Sequence, residues 1–173
     1  MRKFEKVSYA RYSQDVGGDV CLKDEYNSIK IPSRATMWSA GYDFSTPFSF
    51  ELEPKEIISI PTGIKARMKT HDVLKIYIRS SLGFKYGISL VNSVGIIDSD
   101  YYNNEGNEGH IHIKIRNDGD KKVKFNKGDR IAQGIFEKYY LTTADAREIS
   151  CWKNYTAKPY YKPRNGGVGS TNE

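Results

Sequence analysis

Cysteine is nearly missing from this chain. Cys21 and Cys151 are the only two, too few for a disulfide framework and without metal-ligand spacing. A reduced, cytoplasmic setting is therefore expected. Long hydrophobic runs are missing as well: none reaches the roughly 18 residues of a spanning helix, so no membrane association is expected. No apolar stretch follows Met1, Arg2 and Lys3, which argues against a signal peptide. There is no dense Lys/Arg block, no RNP-type aromatic motif and no paired-Cys zinc module, so no stable nucleic-acid complex is expected. The net charge is +6, from 27 Lys plus Arg against 21 Asp plus Glu. An excess that small, spread along the chain, suits any polyanionic partner and singles out none. Helical periodicity is confined to a short candidate at 142–149, with Thr142 or Thr143 as cap.

What the chain has is alternation. Leu74, Ile76 and Ile78 alternate with polar neighbours, as do Ile111, Ile113 and Ile115. Ile58, Ile60, Ile64, Ala66 and Met68 flank the Pro61-Thr62-Gly63 break, as a bent or turn-interrupted strand would. Val123 and Phe125 lead into a turn at 126–129, and residues 131–136 return. Short period-two segments punctuated by Gly, Pro, Asn and Asp every ~10 residues predict an all-β sandwich or barrel. The 173 residues suit one domain. The first ~30 are Tyr-rich and charged, with a Gly17-Gly18 break, and suggest no definite element. The last 17 carry two prolines and three glycines with almost no apolar residue after Tyr161, so they form either a loose tail or a functional arm.

Four segments carry residues capable of chemistry. Gly41 precedes Asp43 at a strand start; the plain reading is a tight backbone and a turn closed by the carboxylate. Arg79, Ser80 and Ser81 follow a clear strand, where a charged fork and rotatable hydroxyls suit phosphate oxygens, or simply solvent. Gly95, Ile96 and Ile97 run into Asp98 and Asp100. On a strand those two acids would share a face, costly unless a cation, water or a turn intervenes. An acid among apolar neighbours is a candidate general base, and a β-turn accounts for it equally. Gly166, Gly167, Gly169, Ser170 and Thr171 offer unobstructed N–H groups and hydroxyls that could cradle a phosphate, without the lysine of a Walker loop. His110 and His112 share one strand face with metal-like spacing, but no third ligand is evident and the isoleucine alternation explains the strand.

Taken in order, these segments resemble the motifs of the trimeric all-β deoxyuridine triphosphatases (dUTPases), over roughly Ile29 to Thr171. Residues 40–43 resemble the first motif, 79–83 the second, 91–101 the third with its uracil-reading hairpin, 127–133 the fourth and 164–171 the fifth. The resemblance implies a β-clip or jelly-roll barrel and three parts: an N-terminal extension at 1–28, a β domain at 29–156 and a C-terminal arm at 157–173. It implies hydrolysis of dUTP to dUMP and pyrophosphate by water attacking the α-phosphorus, which limits uracil incorporation into DNA and supplies dUMP for thymidylate synthesis.

Site roles follow from the same resemblance. Asp98 would be the base that activates the water. Tyr101 would lie under the deoxyribose, and Asn92 with Gly95, Ile97 and the hairpin backbone would read the uracil. Ser80, Ser81 and Gln133 would bind phosphates, with Arg79 in support. Asp43 would hold waters on a Mg2+ chelated by the triphosphate, without ligating it directly. Arg164, Gly167, Val168, Gly169, Ser170 and Thr171 would close over the nucleotide, in a homotrimer whose sites are shared between subunits.

Three departures stand out. Val168 occupies the place of the usual stacking aromatic, residues 102–109 exceed the usual loop, and the N-terminal 28 residues lie outside the compact family core. That loop is either a surface excursion or a lip near the site. Alternatives are a dCTP deaminase, which lacks its catalytic Glu here, and a nucleotide-sensing interaction protein with a regulatory partner. An inert β-module gives no reason for the ordered polar motifs.

Overall fold

The computed structural model describes residues 1–17 and 22–146. The elements run in the order β1 (Lys3–Lys6), α1 (Tyr9–Val16), α2 (Lys23–Ser28), β2 (Ser33–Arg34), β3 (Tyr42–Ser45), β4 (Phe50–Leu52), β5 (Ile57–Pro61) and β6 (Ile64–Arg67). There follow β7 (Asp72–Ile78), α3 (Ser80–Tyr86), β8 (Ile88–Leu90), β9 (Gly95–Ile97), a 3-10 turn (Ser99–Tyr101), β10 (His112–Asn117), β11 (Val123–Phe125) and β12 (Arg130–Lys138).

The expected all-β architecture is there. Strand order is β2-β3-β12-β7-β9 in the largest sheet and β5-β10-β8 in the next, with two-stranded pairs β1-β6 and β11-β4, all antiparallel. Alternation decides which side chains go inside. Along β10, Ile113 and Ile115 are buried while His112, Lys114 and Arg116 face out. Their inward faces meet Leu52, Ile60, Leu74, Ile88 and Ile131 in one core. Each fully buried aliphatic side chain there contributes about 1.5–3 kcal/mol over leaving it in water. The break at 61–63 separates β5 from β6 as predicted. The strands either side of turn 126–129 do not pair with each other: β11 pairs with β4, and β12 with β3 and β7.

The N-terminal residues are not outside the body. Phe4 of β1, opposite Ala66 of β6, packs its ring edge-on against Phe44 at 5.5 Å and beside Phe136 at 5.3 Å. Val7 and Tyr12 belong to the core itself. Ser8 caps α1 by accepting from the Arg11 N–H at 3.1 Å, worth about 1 kcal/mol. Gly17 ends the helix in the left-handed region, φ +110°. The chain holds more helix than its periodicity announces, because α1, α2 and α3 are short pieces braced by the sheets.

Candidate active site

Strands β8 and β9 are joined by a tight turn but belong to different sheets. Leu90 pairs with Ile115 of β10, and the Val91 N–H donates to the Lys114 carbonyl at 3.0 Å. After the turn, in which Ser93 takes φ +60°, Gly95 pairs with Ile76 of β7. A Cβ on Gly95 would lie 3.1 Å from the Ile76 Cβ, so glycine lets the arm lie close to β7. The arms splay, and a cavity of about 670 Å3 opens beside them. Four residues expected at the base and sugar line it: Asn92, Gly95, Ile97 and Tyr101. The expected uracil-reading hairpin is thus a corner between sheets rather than a paired hairpin.

Asp98 follows Ile97 at the end of β9 and opens the 3-10 turn, its carbonyl accepting the Tyr101 N–H at 3.2 Å. The strand ends before either acid, so Asp98 and Asp100 do not share a strand face. The turn is fixed by Tyr101, whose buried hydroxyl donates to the His110 carbonyl at 3.0 Å and accepts from Asn107 Nδ2 at 2.6 Å. A buried phenol held at both lone pair and proton is a firm anchor. It sets Asp98, half-buried, between two residues that line the cavity.

The residues expected to bind phosphate lie elsewhere. β7 runs out into Arg79, the N-cap of α3, with Ser80 and Ser81 in the first turn. Asp43 stands inside β3 opposite Gln133 of β12, not in a turn. Its carboxylate takes Arg130 Nη1 at 2.9 Å and Arg79 Nε at 3.3 Å. Gly41 lies close against Gln133: a Cβ there would lie 2.5 Å from Gln133 Oε1, so that side chain would have to shift. Arg79, Ser81 and Arg130 line a second cleft of about 420 Å3 together with Lys122 and Lys124. Neither Ser80 nor Gln133 lines it, and it shares no lining residue with the first cavity. Arg164, Gly167, Val168, Gly169, Ser170 and Thr171 lie outside the described residues, as do Cys21 and Cys151.

Asp15 and Asn107, which no motif marks, also line the first cavity. Asp15, on α1, takes His110 Nδ1 at 2.5 Å and Arg11 Nε at 3.0 Å, with His112 Nε2 at 3.5 Å. Burial pushes the Asp15 carboxyl up, but hydrogen bonds from His110 and Arg11 outweigh it and hold it below its usual range. The third ligand that the two histidines lacked is therefore present in space. The hydrogen bonds nevertheless oppose a metal. The Gly63 N–H donates to His110 Nε2 at 2.7 Å, which leaves the ring proton on Nδ1, where a metal would have to bind. Loop 102–109 is a lip rather than an excursion. Glu108 accepts from Ser8 Oγ at 2.5 Å, the Gly106 carbonyl accepts from Arg11 Nη1 at 3.1 Å, and Asn107 reaches the cavity.

Comparison with known proteins gives a family match. A family model for dUTPase matches residues 27–159. A deoxyuridine 5'-triphosphate nucleotidohydrolase of Lactococcus lactis subsp. lactis is 41% identical over 155 residues, covering 90% of this chain and 96% of the relative. One from Haemophilus influenzae is 39% identical over 113 residues, 64% of this chain and 71% of the relative. The crystal structure of a dUTPase from Streptococcus mutans matches with a TM-score of 0.63 at 36% identity, over 80% of this chain and 97% of that one. The Staphylococcus bacteriophage 80alpha dUTPase, at 19% identity and a TM-score of 0.60 over 82% and 92%, shares the fold. Among the described residues no helix is long and apolar enough to cross a membrane.

Proposed function

The chain belongs to the dUTPase family, and from that membership we propose that it hydrolyses dUTP to dUMP and pyrophosphate through water activated by Asp98. The observation that carries the residue assignment is the convergence of Asn92, Gly95, Ile97 and Tyr101 on one cavity, with Asp98 between the last two. In this reading Asn92 and the turn backbone pair with the uracil edge. A 5-methyl or 4-amino group fits badly, because a mismatched base leaves buried polar groups unpaired. Tyr101, locked by His110 and Asn107, forms the floor under the deoxyribose and leaves no room for a 2'-hydroxyl.

Asp98 accepts a proton from a water while that oxygen forms its bond to the α-phosphorus. The bond from phosphorus to the bridging oxygen breaks, and pyrophosphate leaves with the electron pair. General-base assistance of this kind supplies about 10²–10⁴-fold in rate. Ser80, Ser81, Gln133 and Arg79 hold the phosphate chain, where preorganised donors offset the growing negative charge. Asp43 suits the expected magnesium only at one remove. Both its oxygens are engaged by Arg79 and Arg130, so it can order the ion's waters but does not offer the open oxygen set of a direct ligand. When bound, Mg2+ draws charge from the triphosphate oxygens and so eases departure of pyrophosphate.

A trimer with shared sites is supported by two observations. Base-side and phosphate-side residues of one protomer line separate cavities, so a complete site calls for a second copy. Trp38 and Phe84, beside the first and second motifs, are 90% and 93% exposed, as large apolar side chains at a subunit face would be in an isolated protomer. Residues 157–173 form the arm that closes over the nucleotide, residues 1–28 brace the β domain at 29–156, and the setting is cytoplasmic.

The test is pyrophosphate release from dUTP, dTTP, dCTP and UTP in parallel with Mg2+. Release from dUTP alone is expected. A uracil product from dCTP would make the protein a deaminase, and no turnover of any substrate would remove the hydrolase reading.

A further inference from the structure

We propose that His112 contacts the nucleoside of the substrate and that helix α1 positions its ring through Asp15; this rests on the dUTPase reading above. His112 stands on the outward face of β10 and lines the cavity together with Asn92, Gly95, Ile97 and Tyr101. Among the described residues its side chain makes no hydrogen bond. Asp15 Oδ2 lies 3.5 Å from Nε2, beyond a well-formed bond. The ring therefore keeps its donor and acceptor capacity for something that enters the cavity. A neutral imidazole offers one of each, and the uracil edge and the sugar hydroxyl present both complements. Few polar groups, placed firmly in a mainly apolar wall, are what a ligand cavity uses to fix orientation.

The placement is firm because a chain of contacts leads back to the N-terminal segment. The His112 ring meets the His110 ring edge to face, centroids 4.5 Å apart at 65°. His110 is pinned between the Gly63 N–H and Asp15. Asp15 is clamped by both Nε and Nη2 of Arg11, whose Nη1 in turn reaches the Gly106 carbonyl. Ser8, at the start of the helix, is tied to Glu108 through both its N–H and its hydroxyl. Loop 102–109 and α1 thus brace each other, and between them they restrict how the His112 ring can turn. A purely structural role, in which His112 merely covers His110, would leave substrate affinity alone.

Two measurements on the full chain test this. In steady-state kinetics with dUTP, His112→Ala should raise KM about 3- to 10-fold, the worth of one neutral hydrogen bond, and by more than kcat falls. In the wild-type protein, the imidazole NMR signals of His112, assigned by substituting His71 and His112 in turn, should shift on saturation with dUMP while those of exposed His71 stay in place. Both results are required. An unchanged KM, or His112 signals indifferent to dUMP, overturns the proposal even where wild-type turnover of dUTP is normal. Absence of wild-type turnover is the distinct outcome that removes the underlying hydrolase reading.

Discussion

Acid sensitivity of folding follows from a single buried ring. His110 is fully buried, accepts the Gly63 N–H on Nε2 at 2.7 Å and gives its Nδ1 proton to Asp15. A second proton would have to go on Nε2, directly against an N–H donor. Burial pushes the pKa from 6.5 down to about 4. Because the folded value lies below the unfolded one, the unfolded chain takes up the proton first as pH falls. Stability is untouched above the unfolded value, declines between 6.5 and 4, and loses nothing more from this group below that. Each pH unit in that window costs about 1.4 kcal/mol, so the whole span amounts to roughly 3 kcal/mol. Glu5, Asp15, Asp72 and Glu108 are held below the ordinary carboxyl values of 4.5 or 3.8 and lose stability only as pH falls past those values, which leaves the upper part of the window to histidine. At about 2–4 °C per kcal/mol for a chain of this size, Tm should fall roughly 5–10 °C between pH 7.5 and 4.5. Circular-dichroism melts at fixed protein concentration and ionic strength measure it, with His110→Gln as comparison. The variant should start lower, since Gly63 loses its acceptor, and should lack the decline. A wild-type Tm that moves less than about 2 °C, or an equal decline in His110→Gln, refutes the reasoning.

Asp98→Asn should leave the fold and dUTP binding intact while cutting turnover by at least about 10²-fold; near-normal turnover would remove Asp98 from the mechanism. Gly41→Ala puts a methyl 2.5 Å from Gln133 Oε1 and 3.1 Å from its Cβ, so Gln133 must swing away. KM for dUTP should rise about 3- to 10-fold with little change in melting, the effect of one lost hydrogen bond, and an unchanged KM would take Gln133 out of the phosphate network. Asp43→Asn should depress kcat/KM at least tenfold, on the order of 1.4 kcal/mol, with a Tm loss under about 3 °C; the reverse pattern would make the Asp43 pairs structural. Val168→Phe restores a stacking face at the proposed lid and should lower KM; if kcat and KM both stay put, position 168 is not the lid.

Much of the fold is legible in one physical rule. Side chains alternate across a strand, so Ile111, Ile113 and Ile115, or Leu74 and Ile76, can be assigned to the core without knowing their partners. Pairing is not legible that way, because alternation is the same whichever neighbour a strand chooses; hence β11 and β12 invited a hairpin that does not form. Helix α1 left a signal at each end, the Ser8 cap and Gly17, but its one buried residue is Tyr12 and no apolar stripe marks it. At the site, Asn92, Gly95, Ile97, Asp98 and Tyr101 are close in sequence, and their turn alone brings them together. Asp15 and His110 meet across 95 positions, and only the docking of α1 makes them neighbours.

The two halves of the proposed site are held by different physics. The base-side cavity is walled by β-strands from two sheets and by Tyr101 and Asn107, with His110 buried behind them; removing any of the three would leave buried polar partners behind. The phosphate side is held by charge. Arg79 and Arg130 are 28% and 48% exposed at the side chain, and ion pairs that open to water are worth about 0–1 kcal/mol to folding. Such a bridge is poor glue, yet it fixes two guanidinium groups beside the serines at the start of α3. In the proposed reaction a fixed cationic pair suits a triphosphate, because donors already in place need no reorganisation when charge moves onto the leaving group. Asp43 is therefore better understood as the group that keeps two arginines together against their own repulsion than as a support for the strand it stands on.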